Sequence, residues 1–385
     1  MLDKGLIDLV LSIVKNIKKT MSVNHDRFNN FRLFMVQHLL EDTKEWLIDV
    51  RDCGIEVDVV IGIEYSAKES VVNELLANNF HIYVPPFEKI QIVITDLLHD
   101  SLNRCKIDGK KLIIVEVGGY AVPILHQKFS NFTEYCAGAI EETKQGLWRD
   151  MNLPEIKIPI FQIADTRFKK LESLQVGDAV VEALGMALRS KGVSLAGKKV
   201  CVLGYGWIGS AISQILRNRR AIIYCYDSDP IQNIKAYLAG FNIGPKKLLL
   251  TTADIVIGAT GQTSLDANDI IDLKDGAYLA SASSRDIELD LKGIKNIISS
   301  TKDISKNIKE LKLKNKRSIY IIGSGFPINF LLEKSVSYEV MDLIFSCALI
   351  CISKLCLNSY DPKIYVISEE EERKIAELWV DYYIS

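Results

Sequence analysis

Short apolar runs alternate with longer amphipathic ones through the first half of the chain. Val57 to Ile63, Ile82 to Val84 and Leu112 to Val117 read as strands, while Lys68 to Asn78 and Ile90 to Cys105 carry helix-like periodicity. The alternation predicts an α/β fold. A long helix from about Val176 to Lys191 leads into further strands at Ile255 to Gly258, Tyr278 to Ala280, Ile294 to Ile298 and Ile319 to Ile322. After Gly323-Ser324-Gly325 the pattern turns helical. An apolar helix, Tyr338 to Leu355, is followed by a charged one, Ser368 to Tyr383, which opens with a serine cap and four glutamates suited to the helix dipole. Met1 to Val10 reads as an amphipathic helix, because acids interrupt its apolar positions and no small-residue cleavage site follows.

Between these elements lies one segment with chemistry written into its spacing. An apolar strand, Lys199 to Leu203, runs into Gly204-Tyr205-Gly206-Trp207-Ile208-Gly209, and a second strand, Ala221 to Tyr226, ends on Asp227. Gly204 permits the tight turn, Gly206 lets a pyrophosphate approach the backbone, and Gly209 lets the next helix sit close to the sheet. The helix N-terminus then faces the phosphates. Asp227 is placed to accept hydrogen bonds from ribose hydroxyls and would repel the extra phosphate of NADP, so the expected cofactor is NAD. A second pair, Gly118-Gly119, ends the strand Leu112 to Val117, where open α/β sheets bind ligands.

Composition narrows the class. At 385 residues and a formal charge of −2, the chain has length for two or three domains and no basic stripe for nucleic acid. The lysine-rich stretch Lys306 to Arg317 reads as a solvated helix face. Eight cysteines show neither paired CxxC spacing nor a histidine framework, so buried reduced thiols in a cytoplasmic protein are expected, and no metal. The most apolar stretch, Leu343 to Ile352, is about half of what a bilayer span requires. A buried or interface helix is expected there, and no membrane partner.

Several segments, in order, resemble the S-adenosylhomocysteine hydrolase family: Gly138 to Gly146 with its Glu141-Glu142-Thr143 core, Ile158-Pro159, Asp165 to Gly177, the glycine turn, Asp227 to Ile231, Ala259-Thr260-Gly261, Asp286 to Asp290 and Asn329. The resemblance implies a Rossmann-type NAD-binding domain inserted in a second α/β substrate domain, with C-terminal helices for hinge and oligomer contacts. The expected boundaries are 1–185 for the substrate domain, 186–330 for the NAD domain and 331–385 for the helices. A homodimer or homotetramer is implied as well. In that family, bound NAD oxidises a ribose 3′-hydroxyl, a base removes the C4′ proton, homocysteine leaves, and water adds.

Carried over position by position, the resemblance makes Lys169 the residue at the 3′-hydroxyl, Glu142 a ribose contact, Thr143 a nicotinamide contact and Glu69 an adenine contact. To the cofactor it assigns Gly204, Gly206, Trp207, Ile208, Gly209, Asp227, Ala259, Thr260, Gly261, Ser281 and Asn329. Tyr65 stands where the family has a catalytic histidine. Val117 replaces the C4′ base, leaving Glu116 one residue earlier, and Ser173-Leu174 replaces an Asp-Asn pair. A valine cannot take a proton. The lone His126 reads as structural. The oxidation machinery is thus kept and the elimination machinery altered. Three readings follow: an enzyme that oxidises a secondary hydroxyl of a nucleoside- or sugar-like substrate; a genuine hydrolase whose acid and base have moved to Tyr65, Glu64 or Glu116; or an NAD-binding regulatory or scaffold protein without chemistry.

Overall fold

Runs such as Leu112-Ile113-Ile114-Val115 and Val200-Cys201-Val202-Leu203 have no polar break, and every one of these side chains is buried, as happens when parallel strands lie between two helical layers. The computed structural model describes residues 11–22, 25–283 and 287–384; the expected helix Met1 to Val10 and Asp286 lie outside them. The chain divides into two compact units, one made of residues up to Lys170 together with Ser337 onward, the other of Leu171–Val336. The divisions fall at 170 and 336, where the sequence reading had placed 185 and 330, and the C-terminal helices pack as part of the first unit.

In that first unit a sheet is built from β1 (Phe31–Gln37), β2 (Glu56–Gly62), β3 (Ile82–Tyr83), β4 (Lys111–Glu116), β5 (Cys136–Glu141), β6 (Ile160–Gln162) and β15 (Ile364–Val366). Its order is β15-β6-β5-β4-β1-β2-β3, with every pairing parallel. Side chains alternate between two cores. Leu33, Met35, Val60, Ile113 and Val115 face one, while Phe34, Val36, Ile61, Leu112 and Ile114 face the other. Strand order reverses between β4 and β1, and the parting of the loops at such a switch point opens a crevice at the strands' carboxyl ends.

The apolar helix spans Tyr338–Leu357, long and apolar enough to cross a membrane, yet 61% of its most apolar window is buried inside the protein. It is a core helix of the first unit. Trp46 stacks on Phe345 at 5.3 Å and donates its indole N–H to the Phe345 carbonyl. Buried Asp342 accepts from the amides of Ile13 and Val14 and from the Tyr383 hydroxyl, joining this helix to both ends of the chain. Ser368 caps the helix Glu369–Tyr383 in a reciprocal box with Glu371, as the sequence predicted.

The second unit carries β7 (Lys199–Leu203), β8 (Ile222–Tyr226), β9 (Asn242–Ile243), β10 (Ile255–Gly258), β11 (Tyr278–Ser281), β12 (Ile298–Ser305), β13 (Ile308–Leu313) and β14 (Ser318–Ile322) in the order β12-β13-β14-β11-β10-β7-β8-β9. Here the switch point lies between β7 and β10. Pairing is parallel from β14 to β9 and antiparallel through β12, β13 and β14. Two expectations fail in this region. Lys306 to Arg317 is not a helix face but contains β13, whose Ile308, Leu311 and Leu313 are buried while lysines face water. Ile294 to Ile298 is mostly a 3₁₀ turn, Gly293–Ile297, with the strand beginning at Ile298. The helix before β7 also starts earlier than expected, running Arg167–Arg189.

Candidate functional site

Two groups of candidate residues form, one in each unit, both at the carboxyl ends of strands.

In the second unit the glycine turn has the geometry its spacing predicted. Gly204 sits at φ +95°, and a Cβ there would come within 2.5 Å of the Ala259 carbonyl oxygen, so only glycine lets the β7 and β10 turns approach. A Cβ on Gly209 would lie 1.9 Å from the Gly204 carbonyl, whereas the position beside Gly206 is open space. This gap borders the N-terminus of the helix Trp207–Asn218, where backbone amides and the helix dipole favour phosphate. Trp207 and Ile208 begin that helix. Asp227, at the end of β8, accepts from the amides of Tyr205 at 2.7 Å and Asp229 at 2.9 Å, which fixes its carboxylate against the glycine turn.

The loop Ala259-Thr260-Gly261 is shaped by Glu288, a residue whose role is not evident from the sequence. Fully buried, its carboxylate accepts from the amides of Thr260 at 2.6 Å and Gly261 at 2.8 Å and from the Thr260 hydroxyl at 2.9 Å. The Ser283 hydroxyl also donates to it. Ser281 is buried at the end of β11 and bridges to Pro327, which brings Asn329 to the same edge. Asn329 donates to Ser335 through its amide nitrogen, but its buried carbonyl oxygen has no partner. Such an acceptor, together with the open glycine cradle and the terminal acid, fits a dinucleotide with a carboxamide at one end. Among the described residues no set of three acid, cysteine or histidine side chains is grouped as a metal site.

In the first unit the crevice between β1 and β4 gathers a histidine that sequence reasoning missed. His38 follows Gln37 at the end of β1, a strand absent from the sequence reading. Its Nδ1 lies 2.7 Å from the Ser66 hydroxyl. Because that hydroxyl donates to the Ile63 carbonyl at 3.0 Å, the ring is assigned a proton on Nδ1, leaving Nε2 as its acceptor. Burial and the nearby charge of Lys169 push the imidazole pKa down to about 3, so His38 is neutral at physiological pH. The Tyr65 ring is 6.0 Å from the imidazole and 5.6 Å from Phe87. Neighbouring Glu64 is tied to the Phe87 amide. The signal that could have revealed His38 was the apolar run Leu33 to Val36 ending on two polar residues.

Gln37 links this group to the next strand by donating to Glu142 at 3.0 Å. Glu142 is buried at the end of β5, and Thr143 follows as the N-cap of the helix Lys144–Met151. Glu69 is exposed in the first turn of the helix Glu69–Ala77. Glu116 is buried and its carboxylate accepts from the amides of Tyr120, Ala121 and Val122 at 2.6 to 2.9 Å. A carboxylate so bound caps a helix and is poorly placed to act as a base. His126 is structural: Nδ1 pairs with the Val122 carbonyl and Nε2 accepts from the Lys157 amide.

A family model described as S-adenosyl-L-homocysteine hydrolase, NAD binding domain, matches residues 177–333. Nearly the whole chain is similar to curated relatives. An adenosylhomocysteinase of Sulfolobus acidocaldarius is 26% identical over 91% of this chain and 84% of its own, and one of Thermotoga maritima is 26% identical over 92% and 87%. An S-inosyl-L-homocysteine hydrolase of Methanocaldococcus jannaschii is 26% identical over 91% and 84%.

Proposed function

We propose, because residues 177–333 match the NAD-binding domain of S-adenosyl-L-homocysteine hydrolase and most of the chain is similar to adenosylhomocysteinases, that the protein is a divergent relative of that family, an NAD-dependent enzyme oxidising a secondary hydroxyl of a nucleoside- or sugar-like substrate. One observation carries the reading. At the switch point of the first unit, neutral His38 stands within the field of Lys169, while the adjacent strand end offers no base, since Glu116 holds three amides and Val117 is apolar. An acceptor that can orient an alcohol is present beside Lys169, whereas the strand end of Glu116 and Val117 offers no free carboxylate for a proton on carbon.

In this reading Gly204, Gly206, Trp207, Ile208, Gly209, Asp227, Ala259, Thr260, Gly261, Ser281 and Asn329 hold NAD, which when bound supplies the two-electron oxidation. Lys169 and Nε2 of His38 hydrogen-bond the substrate hydroxyl and orient it, and the proton released on oxidation passes to solvent water. Glu142, fixed by Gln37, accepts from a neighbouring hydroxyl, and Tyr65 forms a wall beside the imidazole. The nicotinamide contact of Thr143 and the adenine contact of Glu69 rest on the resemblance alone.

A second reading, hydrolysis of an S-nucleosyl homocysteine, is favoured by the same His38, because it restores an acid–base group that the sequence reading had found replaced by Tyr65. The relatives' names agree with it. Either way the substrate is a small molecule. The protein would act as a homodimer or homotetramer in the cytoplasm, a compartment suited to eight cysteines that are all free thiols.

The deciding experiment adds adenosine, inosine or S-adenosylhomocysteine to the NAD-loaded protein and follows reduced-nicotinamide absorbance and homocysteine. Reduction without homocysteine supports oxidation, homocysteine release establishes the hydrolase, and neither with any of the three removes nucleosides from the reading. Lys169→Ala is expected to abolish turnover while NAD stays bound; wild-type turnover would take Lys169 out of the mechanism.

A further inference from the structure

Five consecutive backbone amides, Gly118 through Val122, converge on two buried carboxylates. Glu116 takes the last three, and Glu141 takes Gly118 at 3.2 Å and Gly119 at 3.0 Å. Glu116 and Glu141 are paired in register on neighbouring strands, an unfavourable placement for two acids unless each is surrounded by donors. The opposite side of the same turn is held by a cation: Nη1 of Arg149 donates to the carbonyls of Gly118 at 2.9 Å and Gly119 at 3.4 Å. Each of the two glycines therefore has its amide fixed by the Glu141 carboxyl group and its carbonyl by a guanidinium.

Glu141 also reaches the other wall of the crevice. It accepts from the Thr143 amide at 2.7 Å and the Thr143 hydroxyl at 2.5 Å, and that hydroxyl accepts from the Gly118 amide at 2.8 Å. The packing leaves no slack. A Cβ on Gly146 would lie 2.0 Å from the Glu141 carboxyl carbon, and one on Gly119, at φ +60°, would lie 2.6 Å from Gly146 Cα. The end of β4, the end of β5 and the first turn of Lys144–Met151 are thereby locked around a single side chain.

We propose that Glu141 and Arg149 are positioning residues, which set the path of the Gly118-Gly119 turn and the direction of the Thr143 hydroxyl and so fix the crevice that holds Glu142 and His38. Neither need touch substrate. The inference rests on the reading of that crevice as the substrate site.

The test uses the NAD-loaded full chain and two variants, Glu141→Gln, which keeps shape but puts an amide NH2 where an acceptor oxygen stood, and Arg149→Lys, which keeps charge and loses the planar fork. Hydrogen exchange of the peptide covering 116–122 and the rate of NAD reduction by adenosine, or homocysteine release from S-adenosylhomocysteine, are measured together with Tm. Glu141→Gln is expected to speed exchange at 118–119 and lower kcat by about tenfold to a hundredfold, the scale of a displacement near 1 Å at a reacting centre. Arg149→Lys is expected to act in the same direction. Unchanged exchange overturns the proposal, and so does faster exchange with unchanged kcat, which would mark a structural role alone. A wild type inactive on both substrates fails the substrate reading and takes this inference with it; an active wild type with an equally active Glu141→Gln fails the inference only.

Discussion

Asp150 is fully buried with neither carboxylate oxygen hydrogen-bonded, and burial next to Glu116 pushes its pKa up to about 8. In the unfolded chain the same group titrates near its ordinary value, about 4. Between these values the native state holds a proton that the unfolded state has lost, so this residue's contribution to stability falls as pH rises from about 4 to about 8 and is level above that. Asp150→Asn is expected to stabilise the protein by about 1–3 kcal/mol at pH 8 and by little at pH 4. Denaturant midpoints at the two pH values check it, and an equal effect at both would show that the carboxyl is not the titrating group. Asp227 is the residue-scale test of the cofactor. Asp227→Ala removes the acceptor proposed for the ribose and the anchor of the Tyr205 amide, and should weaken NAD by about tenfold or more while relaxing discrimination against NADP, on the scale of about 1.5–3 kcal/mol for a charged hydrogen bond. Titration calorimetry with both dinucleotides reads this directly, and unchanged selectivity would place the ribose acid elsewhere.

At the scale of elements, the charged C-terminal helix offers the cleanest measurement. Ser368 and Glu371 satisfy each other's backbone amides, and four glutamates crowd the first turn where the dipole favours them. Ser368→Ala is expected to cost about 1 kcal/mol. Loss of hydrogen-exchange protection should concentrate in Glu369–Tyr383, and an unchanged unfolding midpoint would mean that the helix is held by tertiary contacts alone. This helix also shows how local signals are read. A cap, a glutamate three residues on and an apolar stripe lie within one turn or two, so the sequence displays them together. The strand β13 shows the opposite. Ile308, Leu311 and Leu313 keep no strict alternation, and lysine spacing there fits a helix as well as a strand, so only pairing with β12 and β14 decides the matter.

For the whole molecule, the testable consequence is that the second unit holds the dinucleotide. NAD at about a hundred times its Kd should stabilise the stripped protein by about 2.7 kcal/mol, since a ligand bound only by the folded state adds RT ln(1 + [L]/Kd). Exchange protection should rise in Leu171–Val336 around the glycine turn. An unshifted unfolding midpoint would remove NAD from the account.

The glycine turn, the terminal acid and the parallel α/β pattern were legible in the sequence because each depends on residues a few positions apart: a tight turn needs Gly204, close packing needs Gly209, and buried parallel strands need unbroken apolar runs. The NAD-binding half of the protein was therefore determined at that level. What only the tertiary structure decided are relations between residues distant in the chain. The pairing of β1 with β4 brings His38 and Gln37 beside Glu142, although more than a hundred residues separate Gln37 from it. Burial and Lys169 set the charge of His38, and three amides turn Glu116 from a candidate base into a helix cap. Which group can move a proton depends on solvent exclusion and hydrogen-bond partners, and both are properties of the packed molecule.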